Sequence, residues 1–103
     1  ILSEGAVELM RTNQLDETRR LRDFNWPQVA GYGYGLGVRT MMDRAACGST
    51  GSVGEFGWDG AAGAYMLADP DRGLAVFYAQ HVLGNFANVH IHPRMRNIIY
   101  ACL

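Results

Sequence analysis

The residues best suited to chemistry crowd into one stretch, Gly54-Glu55-Phe56-Gly57-Trp58-Asp59-Gly60-Ala61-Ala62-Gly63. Glycine lets a ligand or a second chain approach the main chain closely. Two bulky aromatics among small residues read as anchors on a surface left open. The same composition also fits a strand with a bulge or tight turn packed under a helix. Other candidates are weaker. His90-Ile91-His92 could put two imidazoles on one face, but zinc needs three or four ligands and His81 is the only other histidine. No metal is expected, and the segment reads as a loop leading into a helix with His92 near its N-cap. Gly48-Ser49-Thr50-Gly51 looks like a phosphate cradle, yet the Walker pattern requires a lysine and the chain has none. A hairpin loop is the expectation there. Cys47 and Cys102 lie far apart and read as free thiols. No cofactor is implied.

The elements that must position these residues follow from pattern. Ser3 can cap a helix running from Glu4 to about Asn13, with acids near its positive end and Arg11 near its negative end. Asp16 to Arg22 suits a short, polar, solvated helix. Phe24-Asn25-Trp26-Pro27-Gln28 is a loop whose aromatics either plug the sheet or wall a pocket. Gly31 to Met42 reads as one strand, with Tyr32, Tyr34, Leu36, Val38 and Thr40 on one face and Gly33, Gly35 and Gly37 on the other. The bare face invites close approach by a neighbouring element. Ala64 to Ala68 and Leu74 to Ala79 form a hairpin around Asp69-Pro70-Asp71-Arg72-Gly73. The second of these strands is apolar on both faces, as expected of a central strand. His81 to His92 reads as loop. Pro93 then starts a helix whose Met95, Ile98, Ile99 and Cys102 should face the sheet. The fold class is α+β: an antiparallel sheet of three or four strands flanked by an N-terminal and a C-terminal helix.

Length and charge bound the rest. A chain of 103 residues makes one small domain, and 49% apolar residues suffice for a packed core. A net charge of -1 leaves no electrostatic footprint for nucleic acid. No apolar run approaches the ~20 residues that span a bilayer, and no basic-then-apolar leader opens the chain, so no membrane partner is expected.

Trp58-Asp59-Gly60, with Asp69-Pro70 and the strand after it, resembles the C-terminal part of the serine beta-lactamase-like hydrolases: class C beta-lactamases, DD-peptidases and related esterases. The family's third motif is Lys-Thr-Gly, His-Thr-Gly or, in esterase-like branches, Trp-Gly-Gly. Gly31-Tyr32-Gly33-Tyr34-Gly35-Leu36-Gly37-Val38 resembles the Tyr-Gly-Leu-Gly strand that precedes it. The resemblance covers residues 1–103, read as a single partial domain. It implies a third motif that binds substrate through Trp58, Asp59 and Gly60, and an oxyanion donor at the backbone N–H of Ala61. Trp58 cannot supply the positive charge of Lys or His, so an apolar acyl or ester substrate is implied. Asp59 departs from the family's small or hydroxyl residue, and either repels anions or points to solvent.

Acyl transfer also needs an activated nucleophile and its base. In the family these are the serine and lysine of Ser-x-x-Lys, assisted by Tyr-x-Asn. Without lysine the first motif cannot occur; Tyr78-Ala79-Gln80 only approaches the second. The expectation is a C-terminal segment of a serine hydrolase that acts on an ester or amide, a beta-lactam among them, and is inactive alone. The alternative is a non-catalytic binding module or pseudoenzyme of the same descent. The implied partners are a small-molecule acyl substrate and either the missing N-terminal half of the domain or a second copy.

Overall fold

A computed structural model describes residues Ile1–Leu103. The order is α1 (Glu4–Arg11), α2 (Glu17–Asp23), a 3-10 turn (Pro27–Val29), β1 (Tyr32–Tyr34), β2 (Arg39–Met41), α3 (Arg44–Cys47), β3 (Phe56–Asp59), β4 (Tyr65–Asp69), a 3-10 turn (Pro70–Arg72), β5 (Leu74–Tyr78), a π-helical turn (Ala87–Ile91) and α4 (His92–Ala101). The five strands form one antiparallel meander in chain order. The α+β architecture is as expected, with one or two strands more than the sequence suggested. No helix is long and apolar enough to cross a membrane.

Both N-terminal helices start where their caps predict. Ser3 Oγ accepts from Ala6 N–H at 3.2 Å, and an Asp16 oxygen accepts from Arg19 N–H at 2.8 Å. The extra strand comes from Gly31 to Met42, which is a hairpin and not a single strand. Gly35 N–H bonds to Val38 C=O at 2.8 Å, and Gly37 takes φ +82°, a left-handed conformation that glycine enters without a Cβ clash. The bare glycine face is used as expected at two positions. A Cβ on Gly33 would lie 2.4 Å from Asn13 Oδ1, and one on Gly35 would lie 2.0 Å from Met10 C=O. Residues 10–14 run along the outer edge of β1, with Gln14 N–H donating to Tyr34 C=O and Leu36 N–H to Met10 C=O, both at 2.8 Å. That edge is therefore covered.

In the apolar core Phe24, Val29, Tyr32 and Met41 form one cluster, with Leu15, Tyr34 and Cys47 against it; Val38, Phe56, Tyr65, Leu67 and Ala87 are buried too. One expectation about burial fails and another holds in part. β5 is an edge strand paired only with β4, and Phe77 is 75% exposed. The apolar doublet pattern could not separate a covered strand from one whose second face stays open. The closing helix buries its expected stripe only in part: Met95 and Ile99 are half-buried, Ile98 is 65% exposed and Cys102 lies at the surface, while His92 and Arg96 point inward with Tyr100 partly covered. Positions i, i+4 and i+8 share a helix face as well as i, i+3 and i+7 do. Here the polar set wins because the sheet offers it partners. His81 to His92 is also less irregular than expected, since helical geometry begins at Ala87.

Candidate functional site

β3 and β4 are joined by a tight hairpin turn. Gly60 N–H donates to Ala64 C=O at 2.8 Å, Gly63 N–H donates to Gly60 C=O at 2.9 Å, and Gly63 has φ +82°. This is the pattern of a three-residue loop, Ala61-Ala62-Gly63, closed by a glycine in the left-handed region. Hydrogen-bonding direction alternates along an antiparallel strand. Since Gly60 bonds toward β4, Asp59 and Ala61 turn their backbone groups the other way. β2 pairs with β3 only at Phe56 and Gly57; farther on, Ala61 C=O accepts from Gly84 N–H at 3.4 Å and Ala62 C=O from Val82 N–H at 3.0 Å. Ala61 is exposed, and its N–H donates to no group in the chain.

Trp58 and Asp59 point to opposite faces. Trp58 is 38% exposed and leans on Tyr34 edge-to-face at 5.4 Å and on Phe24 at 6.5 Å. Trp26 packs on the same Phe24 at 5.7 Å. Phe24 is the plug, buried in the core, while Trp26 is half exposed and lines a cleft. Trp26, Gln28, Trp58, Ala61 and Asn88 line an open cleft of about 460 Å³. That volume suits a small ligand.

Asp59 points neither to solvent nor at an incoming anion. Its side chain is buried, with Oδ2 3.1 Å from Arg39 Nε and Oδ1 3.0 Å from His92 Nδ1. Arg39 is poorly aligned for a hydrogen bond, so the attraction is mainly Coulombic. Its guanidinium lies 4.8 Å from the Tyr32 ring and 5.2 Å from the Tyr65 ring, which compensates in part for lost water. Burial opposes the Arg39 charge, but Asp59 together with Tyr32, Tyr65 and Glu55 outweighs it and the pKa is raised. His92 Nε2 lies 2.8 Å from Gly63 C=O. Each ring nitrogen lies within hydrogen-bond distance of an oxygen, so His92 ties Asp59, before the turn, to Gly63, at its end.

Behind this lies a second buried network. Arg96 Nη1 donates to Tyr32 Oη at 2.6 Å, and Tyr32 O–H donates to Glu55 Oε1 at 2.5 Å. Tyr100 Oη lies 3.0 Å from Glu55 Oε2 and 2.6 Å from Asp69 Oδ2. One hydroxyl has one proton and cannot donate to both carboxyls. Burial pushes the Glu55 carboxyl up, against hydrogen bonds and arginines that pull it down. Asp69 also loses water, but hydrogen bonds from Tyr100, Ser52 and backbone N–H groups hold its pKa below the usual value. With Tyr100 donating to Asp69, the Glu55 Oε2 contact needs its proton from Glu55, which the raised Glu55 pKa favours. A raised folded-state pKa contributes stability that is fully present below the unfolded value and lost as pH rises through the folded one. Glu55→Gln keeps an acceptor for Tyr32 and a donor for Tyr100. It is expected to flatten the loss of stability on the alkaline side of the normal glutamate range, as read by urea denaturation across pH. An unchanged pH profile would rule Glu55 out as its source.

The sequence pointed to Trp58, Asp59, Gly60 and Ala61, and the structure brings all four to one hairpin. Arg39, His92, Asn88 and Gln28 were missed as neighbours. His92 and Arg96 could have been found from their four-residue spacing before Tyr100; the others carry no local signal.

No family model matches the sequence. Over 82 residues, 76% of this chain, it is 37% identical to Protein Rv1367c of Mycobacterium tuberculosis strain ATCC 25618 / H37Rv and to protein MT1414 of strain CDC 1551 / Oshkosh. The chain spans only 20% of the length of each. Among solved structures, EstCE1, described as a hydrolase with promiscuous acyltransferase activity, matches with a TM-score of 0.79 over 97% of this chain and 25% of its own, at 20% identity. The chain thus shares the fold of about a quarter of EstCE1.

Proposed function

We propose that the chain is the substrate-strand segment of a beta-lactamase-related serine hydrolase acting on an apolar ester or amide. The observation that carries this is the Gly60–Gly63 turn: its free Ala61 N–H opens onto a cleft walled by Trp26 and Trp58. Shared fold with EstCE1 supports the same reading. In it, Trp58 lines the acyl pocket, Ala61 N–H is one oxyanion donor, and Asp59 with His92 and Arg39 positions the turn. The nucleophile and its base come from outside these residues, which hold no lysine. Trp58, Met66 and Phe77 are cross-strand neighbours in an exposed apolar row across β3, β4 and β5, which suits a face that packs against the remainder of such a domain.

The test begins with the coding region upstream of Ile1. An in-frame Ser-x-x-Lys and Tyr-x-Asn, in a polypeptide that hydrolyses a p-nitrophenyl ester and is labelled at serine by a fluorophosphonate, is the expected result. The 103 residues alone are expected to turn over neither that ester nor a chromogenic cephalosporin. A credible start codon preceded by a stop would favour the non-catalytic binding module, and turnover by the isolated chain would overturn the assignment of the nucleophile to another segment.

A further inference from the structure

Beneath the open cleft lies a recess of about 60 Å³, lined by Trp26, Gln28, Val29, Trp58, Asp59 and Asn88. Two side-chain carbonyls there, Gln28 Oε1 and Asn88 Oδ1, are buried and accept no hydrogen bond from the protein. Asn88 is only 7% exposed, and its Nδ2 donates to Gly60 C=O at 3.4 Å. That contact fixes which end of the amide is the acceptor. Buried acceptors are satisfied in nearly all folded proteins, so an orphaned pair in a recess opening onto a cleft asks for a donor. The recess offers no free charge, because Asp59 is already bound to Arg39 and His92. A neutral N–H fits it better than an ammonium. The tryptophans at its mouth offer flat apolar walls for an aromatic or alkyl group attached to that donor.

We infer that this recess is a binding subsite for the N–H of a small, neutral, apolar amide, whose one proton is shared in a three-centre bond by Gln28 Oε1 and Asn88 Oδ1 between Trp26 and Trp58. It deepens the hydrolase reading by naming a ligand class for the same cleft, and it rests on that reading only for its biological use. Binding is measured without catalysis, so its failure and the failure of the hydrolase reading remain distinct.

Acetanilide and phenyl acetate have nearly the same shape and differ in carrying N–H or O at one position. Each is titrated into the full-length polypeptide that contains these residues. Indole fluorescence is read with and without Trp26→Phe, so that the difference reports binding at the recess. Acetanilide is expected to bind about tenfold more tightly, the worth of one good hydrogen bond, and to shift the side-chain amide NMR signals of Gln28 and Asn88. Gln28→Met keeps the length and removes the acceptor at a half-buried position; Asn88→Leu does the same at the buried one. Either variant that folds should lose most of the preference while still binding phenyl acetate. Equal binding of the two ligands, no binding of either, or a preference unchanged in Gln28→Met would overturn the subsite.

Discussion

Asp59→Ala is expected to lower folding stability by about 3–5 kcal/mol, the usual cost of removing one partner from a buried ion pair. Whole domains are stable by only about 5–15 kcal/mol. The substitution leaves the Arg39 guanidinium buried between two tyrosine rings without a counter-charge, and frees His92 Nδ1. Urea denaturation followed by tyrosine and tryptophan fluorescence measures the loss. The double variant Arg39→Met/Asp59→Leu removes both charges and is expected to recover more than half of it, because apolar replacements of a buried pair are often tolerated. A fall of under about 0.5 kcal/mol, the range of ordinary surface substitutions, would mean that the carboxylate is solvated, as the sequence alone allowed.

That prediction could not have been made from the sequence, and the reason is physical. Local signals set the ends of α1 and α2, because a capping side chain acts within three residues of itself. They also set the turn at Asp69–Gly73, where Gly73 takes φ +60°. What pattern could not weigh was competition for the same face. In α4 an apolar stripe and a polar stripe were both available, and the polar one lies inward because Glu55, Asp59 and Asp69 await it. Those carboxylates arrive from three points on the chain, and only the meander brings them under one helix. In the same way β5 has the composition of a central strand, yet Phe77 and Met66 stand open.

The glycines show the opposite case. Their positions in the 31–37 segment were legible as bareness, but bareness has two uses. Gly33 and Gly35 admit the 10–14 segment, while Gly37 bends the chain. The second use split the expected strand in two. At the candidate site the sequence offered a strand with a bulge or tight turn, and the structure makes it the tight turn between β3 and β4. The contact that His92 makes with Asp59 was not legible, since the two lie 33 residues apart.

On the proposed hydrolase reading, Ala61→Pro in the full-length polypeptide is expected to reduce kcat by about 10²–10³, the usual effect of losing one oxyanion donor. The turn makes this a clean test. Ala61 is the first central residue of the Gly60–Gly63 turn, where proline is favoured in the common turn types. Its N–H donates to nothing in the chain, so the substitution should remove a donor from the cleft with little change in melting temperature. Trp58→Ala separates binding from fold at the same site. A fully buried tryptophan loses about 3–5 kcal/mol on truncation. Trp58, 38% exposed and leaning on Tyr34 and Phe24, should lose less and should change KM and acyl-chain preference more than stability. Full activity in a folded Ala61→Pro enzyme would remove Ala61 from the oxyanion site. A large fall in melting temperature for Trp58→Ala with unchanged kinetics in the folded fraction would return Trp58 to a structural role. Either result would leave the Asp59–His92 tie intact, because that tie rests on burial and hydrogen bonding and not on turnover.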